Sequence, residues 1–152
     1  MKALILILTG LVGAVIQVAA EEPPQSLSEY PPGGAKRVVI DKTNQVLRAY
    51  EGNHEVMETR VSTGRHNGST PNGHFTAGDK SLMHYSHLFD NAPMPYSVHL
   101  GGNVFIHGFS SVPAYPASHG CIRVPLTHGN PAKQFYDWVD PGTPVTILGA
   151  SR

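Results

Sequence analysis

Arg37-Val38-Val39-Ile40, Gln45-Val46-Leu47-Arg48-Ala49-Tyr50 and His54-Glu55-Val56-Met57-Glu58-Thr59-Arg60-Val61 together decide the fold class. The first is a short β-branched run, the second alternates in polarity, and the third follows a turn at Gly52-Asn53. Alternation with a period of two buries one face of a strand and leaves the other in water. The three stretches therefore predict an antiparallel meander with polar outer faces. Downstream, Thr70-Pro71-Asn72-Gly73 is a strong turn signal leading into a strand at 74–77. Val98 to Leu100 and Asn103 to Ile106 read as two more strands, joined by Gly101-Gly102. Residues 79–97 show no clean period. They carry His84, Tyr85, His87, Pro93, Met94, Pro95 and Tyr96, which suits a loop lid over a groove and equally an ordinary surface loop.

One helix is expected near the end. Asn130 can cap, Pro131 fits the first turn, and Phe135, Trp138 and Val139 make one apolar stripe. That spacing assigns Trp138 to the core rather than to a substrate platform. Asp140-Pro141-Gly142 stops the helix, and Val145-Thr146-Ile147-Leu148 closes the sheet.

Upstream of the strands, Met1-Lys2 and an apolar run end on Val18-Ala19-Ala20 before Glu21-Glu22, the pattern of a secretory signal peptide over 1–20. An uncleaved membrane anchor is the competing reading, because the run approaches the shortest spanning length. Either way the remainder is expected to be exported and to lie outside the cytoplasm. Residues 21–35, rich in Pro and Gly, read as a linker, and 36–150 as a single domain. Removing 1–20 takes away Lys2 alone of the 11 basic side chains, leaving 10 against 11 acidic ones and a charge of −1. No basic face for nucleic acid is indicated. With only 14% charged residues, 16 Gly and 13 Pro, the chain suits a turn-rich, strand-dominated domain.

Cys121 is the only cysteine, so no intramolecular disulfide can form. It lies in Ser118-His119-Gly120-Cys121-Ile122-Arg123, with His107-Gly108 upstream. An unpaired thiol in an oxidising compartment risks oxidation, which argues that it has a use, although free cysteines are also simply buried. A thiol attacks as thiolate, and a neighbouring imidazole can take its proton to give a thiolate–imidazolium pair. His107 and His119 are both candidates. His107 arrives from a separate strand and can face the sulfur, whereas His119 has little freedom to reach around it, so His107 is the favoured base. A backbone carbonyl such as that of Gly108 would fix its tautomer. Gly120 permits a tight turn, so that N–H groups of Gly120 and Cys121 converge on an oxyanion. The reaction class is acyl transfer through a thioester.

These motifs resemble the signature of the L,D-transpeptidase catalytic domain, the YkuD-like family. Ser62-Thr63-Gly64, Thr70-Pro71-Asn72-Gly73-His74-Phe75, Met94-Pro95-Tyr96 and Gly142-Thr143-Pro144-Val145 extend the resemblance over roughly 36–148. It implies a mainly β, sandwich-like single domain with one short helix and a loop lid. Cys121 would be the nucleophile and His107 the general acid/base. Gly120, with the main chain of His119 and Cys121, would form the oxyanion site, and Gly108 would support it. Arg123, Ser118 and Tyr96 would meet substrate, with a scaffold ion pair as the alternative for Arg123 and a loop-stabilising hydroxyl as that for Ser118. Pro113, Tyr115 and Pro116 depart from the more glycine-rich stretch common in the family. The implied partners are peptidoglycan stem peptides, handled by a monomer without cofactor or metal. An L,D-carboxypeptidase, a silent wall-binding module, and a metal site built from His107, His119 and Cys121 are the competing functions.

Overall fold

The computed structural model describes residues 34–151, so the expected signal peptide at 1–20 and nearly all of the linker lie outside the described residues. The meander forms as expected: β1 (Lys36–Asp41), β2 (Val46–Glu51) and β3 (His54–Arg60) pair antiparallel. Val38 and Ile40 on β1 and Leu47 and Ala49 on β2 are fully buried, the alternate positions that the period of two selects. Gln45 is not the first strand residue that its polarity alternation suggested. It sits at φ +52, buried, in the turn between β1 and β2.

β4 (Gly73–Thr76) leads to β5 (Lys80–Ser86), β6 (Ala92–Gly101), β7 (Val104–Phe109) and β8 (Ile122–Pro125); α1 (Pro131–Trp138) and β9 (Pro144–Leu148) complete the chain. Two mixed sheets result, in the orders β3-β2-β1-β9-β4 and β5-β6-β7-β8. β9 lies between β1, which it pairs parallel, and β4, which it pairs antiparallel, so it is an inner strand rather than a closing edge. Val145 and Ile147 from β9, Val98 from β6, Ile106 from β7, Ile122 and Val124 from β8 and Phe135 from α1 join the β1–β2 residues in one core. The mainly β, sandwich-like expectation holds.

Residues 79–97 are not a loop. They form most of the β5–β6 hairpin, closed by a turn in which Ala92 N–H donates to Phe89 O at 2.8 Å, with Asp90 and Asn91 at φ 45° and 51°. Left-handed residues at both turn centres match the right-handed twist of the flanking strands. Pro93 and Pro95 concealed the strand, because proline lacks the ladder donor. They are tolerated here because pairing of β6 with β7 begins only at Val98, which leaves one edge of their segment free.

α1 starts as expected, with the Asn130 side chain accepting from Lys133 N–H. Phe135 is buried, whereas Trp138 is half-buried and donates Nε1–H to Glu51 Oε1 at 2.8 Å. Trp138 thus ties the end of α1 to β2. α1 packs against β6, β7 and β8, and Gly108 permits it: a Cβ there would stand 2.5 Å from Leu126 Cδ2 and 3.2 Å from Ala132 Cβ. No helix among the described residues is long and apolar enough to cross a membrane.

Candidate active site

His107 belongs to β7, whose parallel partner β8 places Arg123 opposite it. Cys121 precedes β8 by one residue and falls two positions before Arg123. Side chains two apart on a strand share a face, so Cys121, Arg123 and His107 look onto one side of the sheet. All three line a groove of about 360 Å³. Parallel pairing of β7 and β8 is thus what converts two motifs, 14 residues apart in sequence, into one site.

The imidazole of His107 is buried, 5% exposed, and its Nδ1–H donates to Gly108 O at 2.9 Å. A carbonyl can only accept, so the proton sits on Nδ1 and Nε2 keeps its lone pair. This is the tautomer a general base needs, fixed by the carbonyl that the sequence nominated. Burial pushes the His107 pKa down to about 4, helped by the Arg123 and His84 charges and opposed by the Gly108 hydrogen bond. Burial also pushes the Cys121 thiol up from its ordinary 9.0, against smaller lowering by the Phe105 main chain and Arg123. Sγ lies 3.6 Å from Asn103 O. Both groups are therefore neutral at rest near pH 7. Burial acting on each group separately favours the neutral thiol and the neutral imidazole over the thiolate–imidazolium pair.

The turn before the thiol is tied from within. Ser118 is buried, and its Oγ–H donates to Cys121 O at 2.5 Å while accepting from Gly120 N–H at 3.1 Å. Ser118 is accordingly a loop-stabilising residue, and its hydroxyl is spent before any substrate arrives. The same contact engages Gly120 N–H, which removes it as the expected oxyanion donor. The N–H groups of His119 and Cys121 meet no acceptor among the described residues. Gly120 itself sits at φ +152, and a Cβ there would be 2.7 Å from Ser69 O, so only glycine fits.

His119 is exposed, with its ring stacked on Phe89 at 4.4 Å and 14°. It is turned to the hairpin tip, where Leu88 and Phe89 line the groove. The overhang expected of residues 79–97 exists, built as a hairpin. Tyr96 does not reach the groove: at φ +53 it turns its ring toward Tyr136 of α1, 5.8 Å away, and Met94 lines the groove instead. Arg123 holds its guanidinium 4.1 Å over the Phe109 ring and pairs with no carboxylate among the described residues, so it is not a scaffold ion pair. Among the described residues no group of three or more His, Cys, Asp or Glu side chains is placed to hold a metal.

Residues 35–147 match the family described as the L,D-transpeptidase catalytic domain, YkuD. The chain belongs to this family. Solved relatives share its fold. An L,D-transpeptidase from Stackebrandtia nassauensis is 24% identical with a TM-score of 0.69, over 77% of this chain and 57% of that one. One from Xylanimonas cellulosilytica is 30% identical with a TM-score of 0.64, over 76% and 61%. The LD transpeptidase LdtMt1, solved in complex with imipenem, is 21% identical with a TM-score of 0.65, over 76% and 60%. This L,D-transpeptidase-family chain thus spans about three fifths of the length of those structures. No curated protein matches it.

Sequence reasoning missed the residues that brace the site from the other sheet. Ser62 and Arg123 exchange main-chain hydrogen bonds at 3.0 Å, and Thr63 O receives the N–H groups of Ala117 and Ser118. Gln45 clamps Thr63 in turn, donating to its Oγ1 at 2.8 Å and accepting its N–H at 2.8 Å. In the sequence, Ser62-Thr63-Gly64 stands out only through the family resemblance. Its polar yet fully buried residues carry no pattern that predicts a through-space brace.

Proposed function

We propose that the protein is an exported L,D-transpeptidase in which Cys121 is the acyl-accepting nucleophile and His107 the general base. The observation that carries this reading is that Cys121 and His107 line one groove, with His107 Nδ1 committed to Gly108 O and Nε2 left unprotonated. In the forward step Sγ attacks the carbonyl of the L,D peptide bond in a peptidoglycan tetrapeptide stem. The thiol proton passes to Nε2, and the Cys121 N–H receives the negative oxygen. Collapse expels the terminal D-residue, whose amine takes the proton from His107, and leaves a thioester on Cys121.

An amine then attacks the thioester carbonyl and His107 accepts its proton; the C–S bond breaks, and Cys121 Sγ leaves and recovers that proton from His107. A diaminopimelate side chain gives a 3→3 cross-link, a protein lysine gives an anchored protein, and water makes the same site an L,D-carboxypeptidase. Among the described residues, Arg123 is the only Asp, Glu, Lys or Arg side chain lining the groove. Guanidinium binds carboxylate through two parallel hydrogen bonds, so Arg123 receives a stem-peptide carboxylate. Family membership supports work on peptidoglycan outside the cytoplasmic membrane, in the periplasm or cell wall, as does the leader-like sequence of residues 1–20.

The test is covalent trapping. Imipenem, the compound bound to LdtMt1, offers a strained carbonyl to a nucleophile. Wild-type protein should gain the mass of the drug and Cys121→Ala should not. A retained adduct in Cys121→Ala sinks the nucleophile assignment. Incubation with purified muropeptides and mass analysis of the products then identifies the acceptor.

A further inference from the structure

Thr70 is fully buried, and its hydroxyl has both roles filled. Oγ1 accepts from Gly64 N–H at 2.8 Å, so its own hydrogen is directed to Gly120 O, 2.7 Å away. Gly120 O and the Cys121 N–H belong to one peptide unit. That unit is planar and trans, so its C=O and N–H point in opposite directions. Fixing the oxygen on the Thr70 side therefore fixes the direction of the Cys121 N–H on the other.

Lys42 completes the arrangement. It is 3% exposed, and its Nζ donates to Thr70 O at 2.7 Å. It makes no ion pair with a carboxylate among the described residues. A covered ammonium without a countercharge is costly, and burial pushes its pKa down. A lysine kept in such a place makes a charge-assisted bond, stronger than that of a neutral donor, to the residue that holds Gly120 O. The two contacts span 28 and 50 residues and join the end of β1, the 69–72 turn and the cysteine turn.

We propose that Thr70, anchored by Lys42, is the positioning residue that aims the Cys121 N–H at the oxyanion of the acyl-transfer step. The proposal rests on the Cys121 reading above. Two reactions of the same thiol separate its consequences. Acylation by imipenem builds negative charge on an oxygen and needs the aimed N–H, whereas alkylation by iodoacetamide consumes the thiolate and forms no oxyanion.

Thr70→Val keeps the shape and removes the donor. It should lower the acylation rate by about 10- to 100-fold, somewhat less than outright loss of an oxyanion donor, and leave alkylation within about twofold of wild type. Thr70→Ser, which restores the hydroxyl, should recover acylation to within about threefold of wild type. Lys42→Met should lower the ratio of acylation to alkylation by about 3- to 10-fold with the hydroxyl still present, and it carries the test if Thr70→Val does not fold. A ratio within about twofold of wild type in either folded variant overturns the proposal, as does a parallel fall of both rates. Cys121→Ala run alongside keeps the two ideas apart, because acylation surviving there refutes the nucleophile assignment and not the positioning one.

Discussion

Acidification should destabilise this protein measurably through His107. In the unfolded chain its imidazole titrates at the ordinary 6.5, and in the fold at about 4, because burial excludes the charged form. The unfolded state therefore binds the proton first as pH falls. For a group whose folded pKa is depressed, the native advantage is complete above the unfolded pKa and drains away as pH drops toward the folded one. The window runs from about 6.5 down to about 4. At about 1.4 kcal/mol for each tenfold change in proton activity, that gap amounts to about 2 kcal/mol between pH 7 and pH 5 and about 3 kcal/mol by pH 4. Carboxylates also titrate there, so the comparison is with His107→Gln, which keeps the polarity and cannot protonate. Urea unfolding of both proteins at pH 7, 5 and 4 gives the difference directly. Wild type should lose about 2 kcal/mol more than the variant on going from pH 7 to pH 5. Identical pH dependence in the two proteins would show that His107 is not held neutral by burial, and the proton-transfer order given above would fall with it.

Three further outcomes follow from the site. Because the Cys121 thiol is raised above 9.0, its alkylation rate should climb about tenfold per pH unit from pH 6.5 to 8.5; a plateau near neutrality would reveal a standing thiolate–imidazolium pair. Gly120→Ala should lose acylation and cost about 1–3 kcal/mol in chemical unfolding, since its Cβ meets Ser69 O at 2.7 Å and its φ disfavours side chains. Near-normal acylation in that variant would refute the account of the turn. Phe89→Ala removes the ring that stacks on His119 and should shorten the lifetime of the acyl-enzyme by about 3- to 10-fold as water enters; an unchanged lifetime, followed by mass spectrometry, would make the hairpin tip mere surface.

How much of this was legible depended on where each residue's reason lies. β1 to β3 were readable because burial of Val38, Ile40, Leu47 and Ala49 imposes alternation on the chain itself. α1 was readable because Asn130 and Pro131 act on their own neighbours. The cysteine turn and His107 stand out in the sequence as candidates because few residue types do nucleophilic chemistry. The β5–β6 hairpin was hidden by Pro93 and Pro95, whose cost depends on whether a third strand pairs there, and that is a tertiary fact. Tyr96, which only the family resemblance set against substrate, turns instead toward Tyr136 at a φ of +53, and no local pattern announces that backbone conformation. Lys42, Gln45, Thr63 and Thr70 were invisible as site residues for the same kind of reason. Each is polar and buried through contacts with residues 18 to 50 positions away, and no local period encodes such contacts.

The electrostatics of the groove bear on how the reaction is controlled. A standing ion pair would make Cys121 reactive toward any electrophile, a liability for an unpaired thiol. Here burial raises the thiol and lowers the imidazole, so the charged pair is disfavoured from both sides until substrate arrives. Substrate changes the balance in two ways. A carbonyl carbon gives the sulfur's electrons a destination as its proton leaves, and the negative charge moves to an oxygen facing the Cys121 N–H. A carboxylate set against Arg123 offsets the cationic field that opposes protonation of His107. The reading therefore requires a carboxylate-bearing donor to do more than fill the groove: it must raise the His107 pKa while the proton is in transit. A donor whose corresponding carboxylate is amidated should then react more slowly in the acylation step itself, and not only bind more weakly. Arg123→Gln should abolish that difference between the two donors. If the amidated donor loses only affinity in single-turnover measurements, Arg123 is an anchor for substrate and has no part in moving the proton.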